Sequence, residues 1–120
     1  MQTITLDPLR AHLTLARREG FFPTTNPDYL KKLVTGPLAI HAGSVWMLND
    51  PANNGTMAQM LKEAWWNNGV RIPDKKDLTE QAIIGQVLVT EVTPHGFHFA
   101  RAGWHSEPLR CEGKRGVWSR

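Results

Sequence analysis

The feature that most constrains the fold is the segment at residues 82–92, AIIGQVLVTEV. Apolar and β-branched residues occupy both alternating faces of this segment, as in a strand that is covered on both sides. A turn sequence, TPHG, follows at residues 93–96, and apolar residues alternate again at residues 97–101. The sequence therefore predicts a β-hairpin whose first strand lies in the interior of a sheet.

The N-terminal part of the chain predicts a strand followed by a helix. Residues 2–6 alternate polar and apolar side chains and favour a strand. Asp7 is a typical helix N-cap, Pro8 suits the first helical position, and Gly20 predicts the helix end. Residues 22–28 are rich in Pro, Thr and Asn, which predicts a loop.

Three further elements complete the pattern. LAIHA, at residues 38–42, predicts a buried strand with His41 on the face opposite Ile40. A capping box and an apolar stripe predict a helix over residues 56–66, and residues 117–120 predict a short closing strand. We therefore expect an α+β fold, a small mixed β-barrel of about five strands with about two or three flanking helices.

Length and composition indicate one globular domain, residues 1–120. Of the 120 residues, 41% are hydrophobic and 21% are charged, which suits a single core rather than a disordered chain. The one cysteine, Cys111, excludes an internal disulfide framework and a cysteine-based zinc site. The start of the chain lacks the pattern of a secretory signal and no apolar run could span a bilayer, so we expect a cytoplasmic protein without a membrane partner.

Positive charge is concentrated at the C-terminal end of the chain. The formal net charge is +3. Residues 1–100 contain nine basic and nine acidic side chains, whereas residues 101–120 contain five basic and two acidic ones. This distribution favours an anionic partner such as nucleic acid, with a solvated tail as the alternative.

The chain also contains five tryptophans, an unusually high number for its length. Aromatic rings beside arginine can stack on unpaired bases. Trp66 and Trp104 are candidates either for that role or for core packing. Trp118 fits a core position better, because a small barrel needs bulky side chains in its interior.

Other kinds of site have little support in the sequence. His95, His98 and His105 lack the spacing of a zinc motif, and no glycine-rich phosphate loop is present. Ser44 follows His41 by three residues but lacks the context of a nucleophile elbow. We therefore expect no metal and no cofactor.

Three segments resemble the ASCH domain, a family of the PUA-like superfamily. TGPLAIHAGS, at residues 35–44, is similar to the family's RGPLAIHASK segment, and residues 82–92 are similar to its following strand. GKRGVWSR, at residues 113–120, is similar to the family's C-terminal G-x-x-G-l-W segment. The family's basic residues on either side of GPLAIHA are replaced here by Thr35 and Val45.

The resemblance implies a PUA-like barrel with a cleft that binds RNA or a modified nucleobase. PUA-like relatives also read modified bases that are flipped out of DNA. We therefore expect a nucleic-acid-binding module whose partner is RNA or single-stranded or modified nucleic acid. The first alternative is a small hydrolase that acts on a modified nucleoside or on RNA, as some relatives do, and the second is a protein-interaction module.

The expected site combines cations, aromatic rings and one histidine. His41 would line the cleft, and the alternative is a structural hydrogen bond from His41 to a nearby loop. In the hydrolase alternative, Glu19 is the catalytic acid or base and His41 is its partner. The expected nucleic-acid-binding residues are Arg17, Arg18, Lys32, His41, Trp66, Trp104, Arg110, Lys114 and Arg115.

Overall fold

Six strands and one α-helix make up the regular structure of the part of the chain that is described. The computed structural model describes residues 1–24, 27–44, 77–114 and 116–119. The predicted helix over residues 56–66, which contains Trp66, lies outside the described residues, as does Arg115. In chain order the elements are β1 (Gln2–Leu6), α1 (Pro8–Arg17), β2 (Gly20–Pro23), a 3-10 turn (Pro27–Leu30), β3 (Gly36–Ala42), β4 (Ala82–Thr93), β5 (Gly96–Arg110) and β6 (Val117–Ser119).

The strands form one sheet in the order β2-β5-β4-β3-β1-β6. β1 and β3 are parallel, and the other neighbours are antiparallel. The α+β class and the mixed sheet are therefore as predicted. Closure into a barrel requires the two terminal strands to pair, and β2 and β6 lie at opposite ends of this order. The sheet of the described residues is open, so neither the predicted barrel nor a second α-helix is confirmed.

α1 begins where the sequence predicts and ends two residues earlier than predicted. One carboxylate oxygen of Asp7 accepts a hydrogen bond from the Arg10 backbone N–H at 3.4 Å, and the other pairs with the Arg10 guanidinium. Pro8 occupies the first turn. The last helical residue is Arg17, and the C-cap residue Arg18 has a positive φ of 68°, whereas Gly20 belongs to β2.

β2 replaces the first part of the loop predicted at residues 22–28. Phe22 is completely buried, and its ring stacks on that of Phe97 with centroids 5.0 Å apart. Backbone pairing joins the same two residues across β2 and β5. Because Phe97 is distant along the chain, the local Pro-rich and Thr-rich composition contains no sign of this strand.

The predicted hairpin forms the centre of the sheet. β4 lies between β3 and β5, which confirms its interior position. β5 continues to Arg110, well beyond the predicted end at residue 101, and pairs with β4 as far as Ala82. Residues 104–110 are exposed, so they lack the apolar alternation from which a strand is predicted. In the described part of the chain, no helix is both long enough and apolar enough to cross a membrane.

α1 and one face of the sheet enclose the hydrophobic core. β1 and β3 each contribute alternate residues to it, as the period of two along a strand requires. The most deeply buried members of this cluster are Ile4, Leu6, Ala11, Leu15, Phe22, Leu38, Ile40, Ala42, Ala82, Val89 and Phe97.

Candidate nucleic-acid interface

A groove of about 300 Å³ lies beside β6, at one end of the sheet order. We call it the terminal groove. Two predicted phosphate-binding cations, Lys32 and Lys114, line it together with the ring of Trp118. Both lysines are exposed, and Trp118 is half-buried. The described lining residues are Gln2, Lys32, Lys114, Val117, Trp118 and Ser119, and they include no carboxylate side chain.

The alternation of β6 places Trp118 in the terminal groove. Val117 is buried and belongs to the core cluster, so its neighbour Trp118 points to the opposite face of the sheet. Trp118 is opposite Thr3 in the pairing between β6 and β1. The sequence analysis assigns Trp118 to the core, and the structure instead places its ring partly in the open groove.

Gln2 brings the loop that contains Lys32 to the same groove. Its side-chain amide donates to the carbonyl oxygens of Val34 at 2.7 Å and Pro37 at 3.1 Å. The Val34 backbone N–H donates in return to the Gln2 amide oxygen at 3.2 Å. These three bonds join Val34, before β3, and Pro37, at the start of β3, to the start of β1, next to β6.

His41 lies behind the groove and is completely buried. Its Nε2 donates to the carbonyl oxygen of Cys111 at 2.8 Å, and its Nδ1 is 3.3 Å from the Thr5 hydroxyl. The same hydroxyl accepts a hydrogen bond from the indole N–H of Trp118 at 2.9 Å. The imidazole and indole rings meet edge to face, with centroids 5.8 Å apart. His41 therefore contacts the back of a groove residue, and it is absent from the described lining.

The other predicted residues at the N-terminal side lie elsewhere, at the end of α1. Arg17 is mostly buried, its Nη1 donates to the Phe21 carbonyl oxygen at 3.2 Å, and its guanidinium covers Gly20. Arg18 and Glu19 are exposed. β5 and β4 separate the adjoining β2 from β3, which contains His41. The structure therefore does not bring Glu19 and His41 together.

Trp104 lies against α1 and remains 50% exposed. Its ring is 4.9 Å from that of His12, measured between centroids, with the two planes tilted by 59°. Burial lowers the pKa of His12 below its usual 6.5, because it disfavours the charged imidazolium. This pair forms a second exposed aromatic surface, on a different part of the molecule from the groove.

Arg110 is at the far end of β5. Its side chain is exposed, and its Nη1 donates to the Glu80 carbonyl oxygen at 3.4 Å.

In the described part of the chain, no three His, Cys, Asp or Glu side chains are grouped so that they could hold a metal ion.

Sequence reasoning did not single out Thr5 or His12, and it assigned Trp118 to the core. A local signal existed for Trp118, since the apolar residue before it, Val117, predicts that the two side chains lie on opposite faces. Thr5 and His12 have no such signal, because their partners are distant along the chain.

Comparison of the sequence with protein-family models finds no match, and comparison with curated proteins finds none either.

Proposed function

We propose that this protein binds single-stranded nucleic acid, with RNA as the expected form, at the terminal groove. One observation supports this above the others: Lys32 lines the same groove as Lys114 and Trp118, which come from the distant C-terminal segment. Two exposed ammonium groups attract phosphates, and an aromatic ring offers a face on which any base can stack. The absence of a carboxylate among the described lining residues favours an anionic ligand.

The size of the groove suits a short stretch of the strand. A volume of about 300 Å³ is at the lower end of the range for small-molecule sites. One base against Trp118, with its flanking phosphates at Lys32 and Lys114, fits this volume better than a large cofactor does. The C-terminal cations would add affinity without preference for sequence.

We further propose that the sheet belongs to a PUA-like barrel of a cytoplasmic protein. The three segments that resemble the ASCH domain include β3, β4 and β6. β4 and β3 are neighbours, and only β1 separates β3 from β6. Together with β1, the resembling segments therefore form one continuous part of the sheet, next to the groove.

The salt dependence of binding tests the proposal. A fluorescently labelled single-stranded RNA oligonucleotide is titrated at several salt concentrations, with the affinity followed by anisotropy. Each phosphate contact to a single strand contributes about 0.7 to the slope of log affinity against log salt. The double substitution Lys32→Gln, Lys114→Gln should therefore lower the magnitude of that slope by about 1.4.

Lys31→Gln is the matched control. Lys31 is exposed like its neighbour Lys32, but it is not among the described lining residues of the groove. Its substitution should change the slope of log affinity against log salt only slightly. An equal loss of slope in the control and the double variant would contradict a specific role for the groove. No detectable binding by the wild type would favour the protein-interaction alternative.

No observation favours the hydrolase alternative to the same extent. Of its two expected residues, Glu19 lies in the turn before β2, and His41 is completely buried in β3, which β5 and β4 separate from β2.

A further inference from the structure

We propose that His41 is a positioning residue that holds two walls of the terminal groove in a fixed relation, although it does not itself contact the ligand. The two walls are the Trp118 ring and the segment at residues 111–114, which contains Lys114. This inference concerns the site of the proposed function and rests on it. It goes beyond the proposed function because it assigns a positioning role to a series of hydrogen bonds behind the groove.

The chain of contacts runs without interruption from one wall to the other. The Trp118 indole N–H donates to the Thr5 hydroxyl at 2.9 Å, and that hydroxyl is 3.3 Å from His41 Nδ1. On the other side of the ring, His41 Nε2 donates to the Cys111 carbonyl oxygen at 2.8 Å. One imidazole therefore links β6, β1 and the 111–114 segment.

The partners of His41 determine which ring nitrogen has the proton. A backbone carbonyl oxygen can only accept a hydrogen bond, so Nε2 must be the donor toward Cys111. In a neutral ring Nδ1 then accepts, and the Thr5 hydroxyl, which already accepts from Trp118, can donate to it. The hydrogen bonds thus orient both the imidazole and the indole.

The 111–114 segment is closely packed against this ring at Gly113. A Cβ atom at Gly113 would overlap the Cε1 and Nδ1 atoms of His41, and it would lie 2.7 Å from the Thr5 hydroxyl oxygen. The Gly113 backbone therefore lies close against both side chains. Lys114 is the next residue, so this contact lies directly beside the point at which its side chain leaves the backbone.

Substitution of Thr5 separates the contact with Trp118 from the contact with Cys111. Thr5→Val removes the hydroxyl and keeps a side chain of similar shape, so it releases Trp118 while the bond from His41 to Cys111 remains. Thr5→Ser keeps the hydroxyl and is the matched control. Neither substitution alters a described lining residue of the groove or the charge of the protein.

The experiment combines indole NMR with RNA affinity. The five tryptophans each give one indole N–H signal, and the variant Trp118→Phe identifies that of Trp118. In Thr5→Val this signal should shift and exchange faster with solvent, and the affinity for the labelled RNA should fall roughly three- to tenfold. In Thr5→Ser the signal should remain hydrogen-bonded and the affinity should stay within about twofold of the wild type.

The outcomes separate this inference from the proposed function. If wild-type protein binds RNA and Thr5→Val binds equally well, His41 and Thr5 do not position the groove and the inference is overturned. If the wild type does not bind RNA, the proposed function fails, and the indole signal still tests the positioning: a shift in Thr5→Val supports it and an unchanged signal overturns it.

A measurement on the wild-type protein covers the case in which Thr5→Val does not fold. At pH 8, the ring nitrogens of ¹⁵N-labelled His41 should show the proton on Nε2 and an accepting Nδ1. A proton on Nδ1 instead would leave Nε2 without a proton to donate to the Cys111 carbonyl oxygen, so that hydrogen bond would be absent and the inference overturned.

Discussion

Gly113 is a position at which a single methyl group would disturb the chain of contacts behind the groove. Its backbone lies against His41 and Thr5, where a Cβ would overlap buried atoms. His41 is completely buried, and its ring is bonded on both sides, so it has little freedom to move away. At residue scale, the packing around this glycine therefore connects the buried histidine to the shape of the exposed groove.

Gly113→Ala should destabilise the protein by about 1–3 kcal/mol, the usual cost of inserting a methyl group into a closely packed site. Chemical denaturation, with the free energy of unfolding taken from the midpoint and slope, measures this cost. Gly103→Ala is the matched control, because no atom lies within 4 Å of the Cβ that it would add. Equal stability losses in the two variants would show that the contact with His41 is not the cause.

At the scale of elements, β2 shows how a distant contact creates a strand. Its four residues pair with the start of β5, and the stacked rings of Phe22 and Phe97 attach it to the core. Phe21 is only partly buried, and its ring lies 4.8 Å from the ring of His98. Adjacent residues of the same type therefore have different surroundings, as the two faces of a strand require.

Phe22→Ala should lower the free energy of unfolding by about 3–5 kcal/mol, because it removes a buried ring and leaves a cavity. Phe21→Ala is the natural comparison, and its cost should be clearly smaller, since part of that ring already contacts water. Thermal or urea unfolding of the two variants measures the difference. A larger loss for Phe21→Ala would place β2 on the sheet with the opposite face inward.

For the whole molecule, the contact between α1 and β5 makes stability depend on pH. Burial lowers the pKa of His12, whose ring lies beside that of Trp104, in the folded protein. The unfolded chain therefore takes up a proton at a higher pH than the folded one does. The contribution of His12 to stability is therefore complete above the unfolded pKa of about 6.5 and is lost as the pH falls from there toward the lower folded pKa.

Urea unfolding measured between pH 8 and pH 5 should show this decrease in the wild type. In His12→Gln the part of the decrease that begins near pH 6.5 should be smaller, because the group that takes up the proton is gone. An identical pH profile in the two proteins would mean that protonation of His12 is not linked to folding.

Much of the secondary structure followed from short-range signals. Asp7 and Pro8 were enough to predict the start of α1, because a cap and a first-turn proline act within a few residues. The two-sided apolar pattern of residues 82–92 was enough to predict an interior strand, since burial on both faces removes the usual alternation. The alternation at residues 38–42 also correctly placed His41 opposite Ile40.

The site depended on contacts that no local pattern contains. Lys32, Lys114 and Trp118 meet because the sheet order puts β6 beside β1, next to the loop that Gln2 holds. The same order separates Glu19 from His41; His41 lies in a strand that was predicted correctly, whereas Glu19 lies just beyond the end of α1, in a turn that the sequence placed in the helix. Residue types and alternation specify which face a side chain takes, whereas strand order, created by burial of residues far apart in the chain, specifies which faces meet.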